Sequence, residues 1–450
     1  MTGSGCPADA GDGAARERGP HGDRWIVAPD EASRPSSPPD VVRLDRIDEA
    51  RRLLRLRSRT TQAGFTAERI PRGMFRRRPI LIDDGAEHDE HRRQLTRFLA
   101  PRVLAERHGA FIEEAAREAV DGARASGGCL VDELALRFSV RVASRIVGLT
   151  ERPVERLSRR LVAFFDQPPV DHTRPDHGRT RRQWMLAARN ALGPLAAFYL
   201  ADVRPAIRAR RAHPRDDIVS HLLEHGYRPG EILMECLTYG TAGMVTTREF
   251  IAVALWHLLE DDPLRARFLR AASAERSAIL HELIRLEPPV GHLYRRVHGD
   301  DADPADAVDL DERDRTAGTG AEPRRSCPAG ALVDVDVRAA NLDPAAFGDA
   351  PDRIRADRAL PASERAGLSF GDGPHRCPGE PLAMLETDAL LLALLRAGAE
   401  IEHPPVIEWD TLIEGYRLRG FTLRFPALDR DQDQDQLQDA RGPEAAGAGA

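Results

Sequence analysis

The stretch that decides the fold is FGDGPHRCPG, residues 370–379, which places Cys377 in a loop rich in glycine. Pro378 follows the cysteine and opens a strongly apolar segment at 378–396. Proline favours the first position of a helix, so we expect Cys377 at or next to the N-cap. The free N–H groups and the dipole at that end favour a thiolate. Glycines let a flat group approach the backbone, so the stretch predicts a thiolate ligand for the metal of a large planar cofactor.

This decapeptide resembles the haem-binding loop of the cytochrome P450 superfamily, in its soluble bacterial form. The resemblance implies a mainly α fold with small β-sheets (α+β), in which haem b lies between a long central helix and the cysteine loop. It implies that Cys377 ligates the iron through its thiolate. It also assigns Phe370, Gly371, His375 and Gly379 to the haem site.

Haem carries two propionates, which need cationic or hydrogen-bonding partners. His88 and Arg92 stand at i and i+4 and match the HxxxR pattern of the superfamily at the start of a helix. Arg295 matches another propionate partner, and His375 in the cysteine loop matches a third. Any one of these alone is commonly a solvated surface group, but their joint order and spacing favour a haem site.

A further pattern concerns the support of the cysteine loop. Glu282 and Arg285 lie on one face of a predicted helix and match the ExxR motif of the superfamily. The resemblance implies that they pair with Arg353 and brace the cysteine loop. With these motifs, the resemblance covers residues 45–425.

The resemblance places Ala242 and Gly243 in the central helix, against the distal face of the haem, where Gly243 would leave room for dioxygen. Thr246 would relay protons through its hydroxyl. The superfamily usually has an acid before this threonine, and here Val245 occupies the position. Glu249, three residues after Thr246, or a water chain is our candidate for the missing proton supply, and an ion pair between Glu249 and an arginine is the alternative.

Outside the motifs, composition predicts one folded region at 42–426 between disordered tails at 1–40 and 429–450, and the resemblance implies that this region is a single haem-thiolate domain. Residues 298–325 are predicted to be an acidic surface loop, and 341–376 a long irregular stretch that carries function. Apolar periodicity predicts helices at 104–125, 131–147, 185–211, 231–260, 274–287 and 378–396, and strands at 331–339 and 416–425.

Composition excludes several classes of function. Lys plus Arg is 65, Asp plus Glu is 72 and the net charge is −7, and every basic residue is arginine. Schiff-base chemistry and a P-loop both need a lysine, so they are excluded. The five cysteines lack CxxC spacing, which argues against a disulfide framework or a zinc site. The mild acidity gives no case for nucleic acid, and without a signal or membrane span we expect a cytoplasmic protein.

The resemblance implies a monooxygenase that activates dioxygen and oxidises a small organic substrate, such as a natural-product intermediate. We find no flavin or nicotinamide motif, so electrons should come from a separate ferredoxin and its ferredoxin reductase. Arg92, Arg93, Arg97 and Arg376 are expected to form the ferredoxin-docking surface. Residues 62–85 and 160–190 are expected to line the substrate pocket.

Three alternatives remain open. The first is an oxidative enzyme of the same fold that couples substrate radicals, because the usual acid is absent at Val245. The second is a catalytically silent haem-fold protein that serves a partner enzyme. The third is a serine hydrolase, because residues 367–371 match GxSxG, although that motif needs a core strand before it and a helix after it.

Overall fold

The architecture is mainly helical with several small sheets. A computed structural model of the chain describes residues 16–18, 24–26, 41–57, 59–64, 68, 73, 75–174, 176–299, 307–310 and 326–426. The helices are α1 (Ile47–Arg55), α2 (Ala86–Leu99), α3 (Pro101–Ala125), α4 (Val131–Val147), α5 (Val154–Val162), α6 (Arg181–Phe198), α7 (Arg204–Ala212), α8 (Ile218–Glu224), α9 (Pro229–Thr238), α10 (Thr246–Glu260), α11 (Asp262–Arg270), α12 (Ser273–Leu286), α13 (Val337–Asn341), α14 (Pro344–Phe347) and α15 (Glu380–Arg396).

The strands form small, separate sheets. They are β1 (Arg16–Arg18), β2 (Arg24–Ile26), β3 (Val41–Leu44), β4 (Thr60–Gln62), β5 (Gly128–Leu130), β6 (His292–Val297), β7 (Val308–Asp309), β8 (Ser326–Cys327), β9 (Leu332–Asp336), β10 (Glu400–His403), β11 (Val406–Asp410), β12 (Gly415–Arg419) and β13 (Thr422–Arg424). The largest sheet has the order β3-β9-β6-β4, with β3 parallel to β9 and the other pairs antiparallel.

The central helix predicted over 231–260 is helical throughout, but in three parts. α9 leads into a π-helical segment, Tyr239–Val245, which continues as α10. Nearly every residue of α10 is buried, as expected for a helix that is apolar on all sides. The largest hydrophobic cluster joins α10 to α3, α4, α12 and α15. The predicted mainly α fold with a long central helix is therefore confirmed.

Two predicted strands are shorter in the structure. The strand expected at 331–339 ends at Asp336, because that side chain accepts a hydrogen bond from Ala339 N and starts α13. The strand expected at 416–425 is split into β12 and β13 by Gly420, whose φ of +66° turns the chain. Alternation of apolar and polar residues does not reveal either break.

The predicted domain limits are only partly described. Within the tail predicted at 1–40, β1 and β2 form an antiparallel pair, which differs from the disorder expected there. The remainder of that tail and residues 429–450 lie outside the described residues. In the loop predicted at 298–325, β7 pairs with β8, which lies directly after the loop at Ser326–Cys327. None of the described helices is long and apolar enough to span a membrane.

The brace predicted from the ExxR motif is present, with one change of partner. Arg285 is completely buried and donates two hydrogen bonds, of 2.9 and 3.0 Å, to Glu282. Arg353 contributes only its backbone carbonyl, which accepts from Arg285. The second guanidinium that binds Glu282, beside that of Arg285, belongs to Arg358, whose Nε lies 2.9 Å from Glu282 Oε2. The prediction that Arg353 supplies this side chain was wrong, because the chain turns back toward Glu282 five residues later.

The brace reaches the cysteine loop through two polar side chains that sequence reasoning missed. Asn341 Nδ2 donates to Arg285 O at 2.8 Å and to Ser369 Oγ at 2.9 Å. Ser369 Oγ donates to Ile284 O at 2.7 Å, and Leu368 N donates to Asn341 Oδ1 at 2.7 Å. These bonds tie the segment before the cysteine to the C-terminal end of α12.

We expect Arg358→Ala to lower the free energy of unfolding by about 3 kcal/mol, because it removes a cation from a buried ion pair and its bonds to loop carbonyls. Arg353→Ala is the matched control and should cost less than about 1 kcal/mol, since its backbone carbonyl stays in place. Urea unfolding of both variants measures the difference. Equal losses would show that Arg358 is not the partner of Glu282.

Candidate active site

The cysteine loop is held by its own backbone. Cys377 N donates to Phe370 O at 2.7 Å, and Gly371, at φ +68°, donates to Leu368 O at 2.7 Å. Helix α15 begins at Glu380 with Gly379 as its N-cap. Cys377 therefore lies two residues before the N-cap, slightly farther from the helix than the sequence predicted.

The environment of the Cys377 sulfur favours the thiol in the protein without a metal. Burial raises the pKa of Cys377, and the backbone N–H groups of Gly379 and Glu380 and the charge of Arg92 only partly oppose this. A metal ion at the sulfur reverses the preference, since a coordinating thiol loses its proton. The N–H groups are then already placed to stabilise the thiolate.

The loop is anchored against α1 at Gly373, where the approach is too close for a side chain. A Cβ at Gly373 would lie 2.2 Å from Leu54 O, and φ is +66° there. The neighbouring Asp372 accepts hydrogen bonds of 3.1 and 3.0 Å from Arg55. Both contacts explain why this loop needs glycine and a carboxylate at these positions.

Three of the predicted propionate partners meet at one cleft. Its empty space is about 270 Å³, part of it open to solvent, and His88, Arg295 and His375 line it together with Asp84. The rings of His88 and His375 stack with centroids 4.2 Å apart. His88 lies on α2, Arg295 on β6 and His375 in the cysteine loop, so three distant parts of the chain build this cleft.

The donors at this cleft fit an anionic cofactor edge. His88 Nε2 is buried and has no hydrogen-bond partner. Arg92 is half-buried, and burial lowers its pKa, yet no carboxylate among the described residues pairs with it. Its pKa also responds to Cys377 and Tyr239, which places its guanidinium near the sulfur. An unpaired, partly buried guanidinium beside a cysteine loop is the donor that a haem propionate requires.

The middle of the central helix borders open space. Ala242 and Gly243 are exposed, although Met244 and Val245 directly after them are buried. A Cβ added to Gly243 would meet nothing within 4 Å, in agreement with the room expected there. The Thr246 hydroxyl donates to Ala242 O at 2.6 Å. These exposed groups in the core suit the distal side of a planar cofactor.

The contacts of Glu249 are those of an ion pair with arginine, which was the alternative to a role as proton donor. Its side chain is buried, and it accepts hydrogen bonds from Arg248 at 2.8 Å and from both terminal nitrogens of Arg419 at 2.8 and 3.0 Å. A carboxylate held by two permanent cations is a poor source of protons. The structure therefore does not support the proposed relay through Glu249.

A different acid, Glu386, is buried near the central helix, and sequence reasoning missed it. Its side chain is fully buried on α15, its Oε2 has no partner, and burial raises its pKa well above the usual value despite a contact with Thr247. Thr247 Oγ1 donates to Gly243 O at 2.6 Å. The available signal was a single glutamate on the apolar face of α15, because glutamate is rarely buried without a partner.

The two segments expected to line the substrate pocket are each fastened to the core. In the described part of 62–85, Ile80 N donates to Glu235 at 3.0 Å and Arg77 N to Glu231 at 3.3 Å. In 160–190, Val170 N donates to Thr411 Oγ1 at 3.2 Å. Residues 65–67, 69–72 and 74 lie outside the described chain.

The hydrolase alternative was wrong. Residues 362–370 are turns, no strand directly precedes Ser369, and the next α-helix, α15, begins only at Glu380. Its hydroxyl donates to Ile284 O and accepts from Asn341, so it serves the brace. A nucleophile elbow requires the opposite arrangement.

Comparisons with known proteins agree with this geometry. A family model described as Cytochrome P450 matches residues 320–397. The chain is 30% identical over 361 residues to mycinamicin IV hydroxylase/epoxidase from Micromonospora griseorubida, which covers 78% of this chain and 79% of the relative. It is 28% identical to cytochrome P450 144 from Mycobacterium tuberculosis, over 73% of this chain and 69% of the relative.

The fold is also similar to that of solved cytochrome P450 structures. A solved structure of P450 EryK in complex with erythromycin B matches with a TM-score of 0.66 at 21% identity, covering 92% of this chain and 94% of the other. Members of the family carry haem with a cysteine thiolate as the axial ligand. The chain therefore belongs to the cytochrome P450 family and is an oxidoreductase of the monooxygenase class.

Proposed function

We propose that Cys377 ligates the haem iron, that a ferredoxin supplies electrons from its reductase, and that the substrate is a small natural-product intermediate. The observation that carries this proposal is the Arg92 guanidinium, which pairs with no carboxylate among the described residues, together with the buried Nε2 of His88, which has no hydrogen-bond partner. The substrate class is supported by two relatives, a mycinamicin IV hydroxylase/epoxidase and an erythromycin C-12 hydroxylase.

The residues of this chain would divide the work around the cofactor. Bound haem supplies the activation of dioxygen. Arg92, Arg295, His88 and His375 would bind the propionates, while Phe370, Gly371 and Gly379 shape the loop around Cys377. Ala242 and Gly243 would leave space on the opposite side, where the Thr246 hydroxyl could exchange its bond to Ala242 O for one to a water or substrate.

The ligand assignment is tested by the reduced carbon-monoxide complex. The parent should show the red-shifted Soret band of thiolate-ligated haem, and Cys377→Ser should lose it. Cys129→Ser, at a half-buried cysteine in β5, is the matched control and should keep the band. A parent without that band would instead favour the catalytically silent haem-fold protein.

The propionate assignment predicts that Arg92→Ala loses haem about ten to a hundred times faster than the parent, because a charge-assisted bond worth about 1.5–3 kcal/mol disappears. Arg93→Ala is the control, since Arg93 is exposed and pairs with Glu90. Haem transfer to an excess of apomyoglobin gives the rates. Equal rates for the two variants would remove Arg92 from the site.

Proton supply is assigned to Glu386 in place of Glu249. A protonated Glu386 could give its proton to Thr247 Oγ1, while the Thr247 hydroxyl turns away from Gly243 O and passes its own proton to a water at the exposed part of the central helix. The carboxyl proton of Glu386 would then lie two contacts away from the exposed backbone at Gly243. It also removes the need for an acid at position 245.

We expect Glu386→Gln to reduce several-fold the fraction of electrons that reach product, with more hydrogen peroxide released. The amide preserves the shape and neutrality of the buried acid, so unfolding free energy should change little. Glu249→Gln should behave oppositely. The fraction of electrons that reach product should stay as in the parent, but the free energy of unfolding should fall by about 3 kcal/mol, because two arginines lose their carboxylate. Unchanged coupling in Glu386→Gln would refute the relay.

Electron delivery is assigned to the face formed by Arg93 and Arg97 of α2 and Arg376 of the cysteine loop. Arg93 and Arg97 are exposed, and Arg376 pairs with Glu380 at 2.8 Å. An acidic ferredoxin should bind here, so its KM should rise with ionic strength and with Arg93→Glu. Arg102→Glu, at an exposed position of α3, is the control. A KM insensitive to salt would argue against charge-driven docking.

A further inference from the structure

Large hydrophobic side chains that face solvent are concentrated on one helix. Helix α6, the π-helical segment Tyr199–Val203 and α7 run without a break over residues 181–212. Among the described residues, five large hydrophobic side chains are exposed, and four of them lie on this helix: Met185 (68%), Leu186 (40%), Leu192 (64%) and Leu200 (57%). A single exposed leucine is ordinary, but four within residues 185–200 form a patch, and such patches are typical of surfaces that bind a partner or a membrane.

The same helix carries arginines that have no partner. Residues 181–212 contain seven arginines and one acid, Asp202, in a chain whose net charge is −7. Asp202 is buried and accepts hydrogen bonds of 2.5 and 2.7 Å from Arg160 of α5, and Arg210 is buried in an ion pair with Asp217. Six exposed arginines remain that form no hydrogen bond or ion pair with another described residue: Arg181, Arg182, Arg189, Arg204, Arg208 and Arg211.

Arginines and apolar side chains share one stripe of α6. Residues that follow one another at alternating spacings of three and four lie on the same face of a helix. The exposed residues at this spacing in α6 are Arg182, Met185, Arg189, Leu192 and Ala196. Ala187 and Phe198, on the opposite face, are buried. The outer surface of α6 is therefore basic and apolar along its whole length.

We propose that the helix over residues 181–212 is a docking surface for an anionic lipid membrane, with the stripe of α6 turned toward the lipid. The unpaired guanidinium groups would bind lipid phosphates, for which their planar fork of donors is suited. Met185, Leu192 and Leu200 would enter the boundary between headgroups and acyl chains. A basic amphipathic helix that lies in the membrane interface has this arrangement, and it needs no spanning segment.

The shape of the patch favours lipid over a protein partner. The stripe extends over about 21 Å of a convex helix, and its apolar side chains protrude singly between arginines. A fluid lipid surface adapts to separate side chains, whereas a protein partner would need a matching groove for each. A second copy of this chain would bring two sets of unpaired arginines together, so charge opposes a dimer on this face. The inference uses no residue assigned to the haem.

Sedimentation with sucrose-loaded vesicles tests the surface in the full-length haem-loaded protein. We expect binding to vesicles of phosphatidylcholine and phosphatidylglycerol in equal parts, little binding to phosphatidylcholine alone, and release by salt. Arg189→Gln should lower the partition coefficient about fivefold, the effect of one arginine near a charged membrane. Leu192→Ser should lower it about tenfold, since a large apolar side chain no longer leaves water.

Matched control variants change the surface elsewhere. Arg117→Gln, at an exposed and unpaired arginine of α3, and Val406→Ser, at an exposed valine of β11, should bind as the parent does. Circular dichroism of all four variants should match the parent. Equal losses in the controls would overturn the assignment to this helix. No binding to the anionic vesicles, or equal binding to both kinds, would overturn the membrane proposal. A lipid-free dimer in sedimentation velocity that Leu192→Ser dissociates would assign the face to a second copy instead.

Discussion

The rest of the site depends on a completely buried guanidinium. Arg285 cannot lose its charge, so the fold must surround it with acceptors. Glu282 takes two of its donors, and carbonyls of Asn341, Pro351 and Arg353 take the others. Each carbonyl comes from the chain after β9: Asn341 is the last residue of α13, and Pro351 and Arg353 lie in the irregular chain beyond α14. One helix residue therefore fixes the path of a long segment that has little regular structure of its own.

This constraint continues to the cysteine. The segment from Asn341 to Ser369 is held at both ends by bonds to the C-terminal end of α12, and Cys377 N then closes the loop on Phe370 O. Backbone bonds thus place the sulfur, and the Cys377 side chain also packs against the main hydrophobic cluster. Loss of an acceptor at Arg285 would therefore disturb the position of Cys377, the proposed iron ligand, through this series of hydrogen bonds.

Motifs with fixed local spacing could be predicted from the sequence, and contacts between distant segments could not. The cysteine loop, the HxxxR pair and the ExxR pair depend on spacing along one element. Arg358 and Arg419 depend on how the chain returns, over 76 and 170 residues, to Glu282 and Glu249. The π-helical turn likewise has no periodic signal, because it shifts the helical phase by only one residue.

The buried acids show why the same residue type has opposite roles on two helices. Glu249 accepts hydrogen bonds from Arg248 and Arg419, so its contacts are those of an ion pair. Glu386 has a hydroxyl as its contact and no cation, so burial raises its pKa and keeps the proton on it. In a chain without lysine, the placement of each arginine thus decides which carboxyl is a structural anion and which can give up a proton.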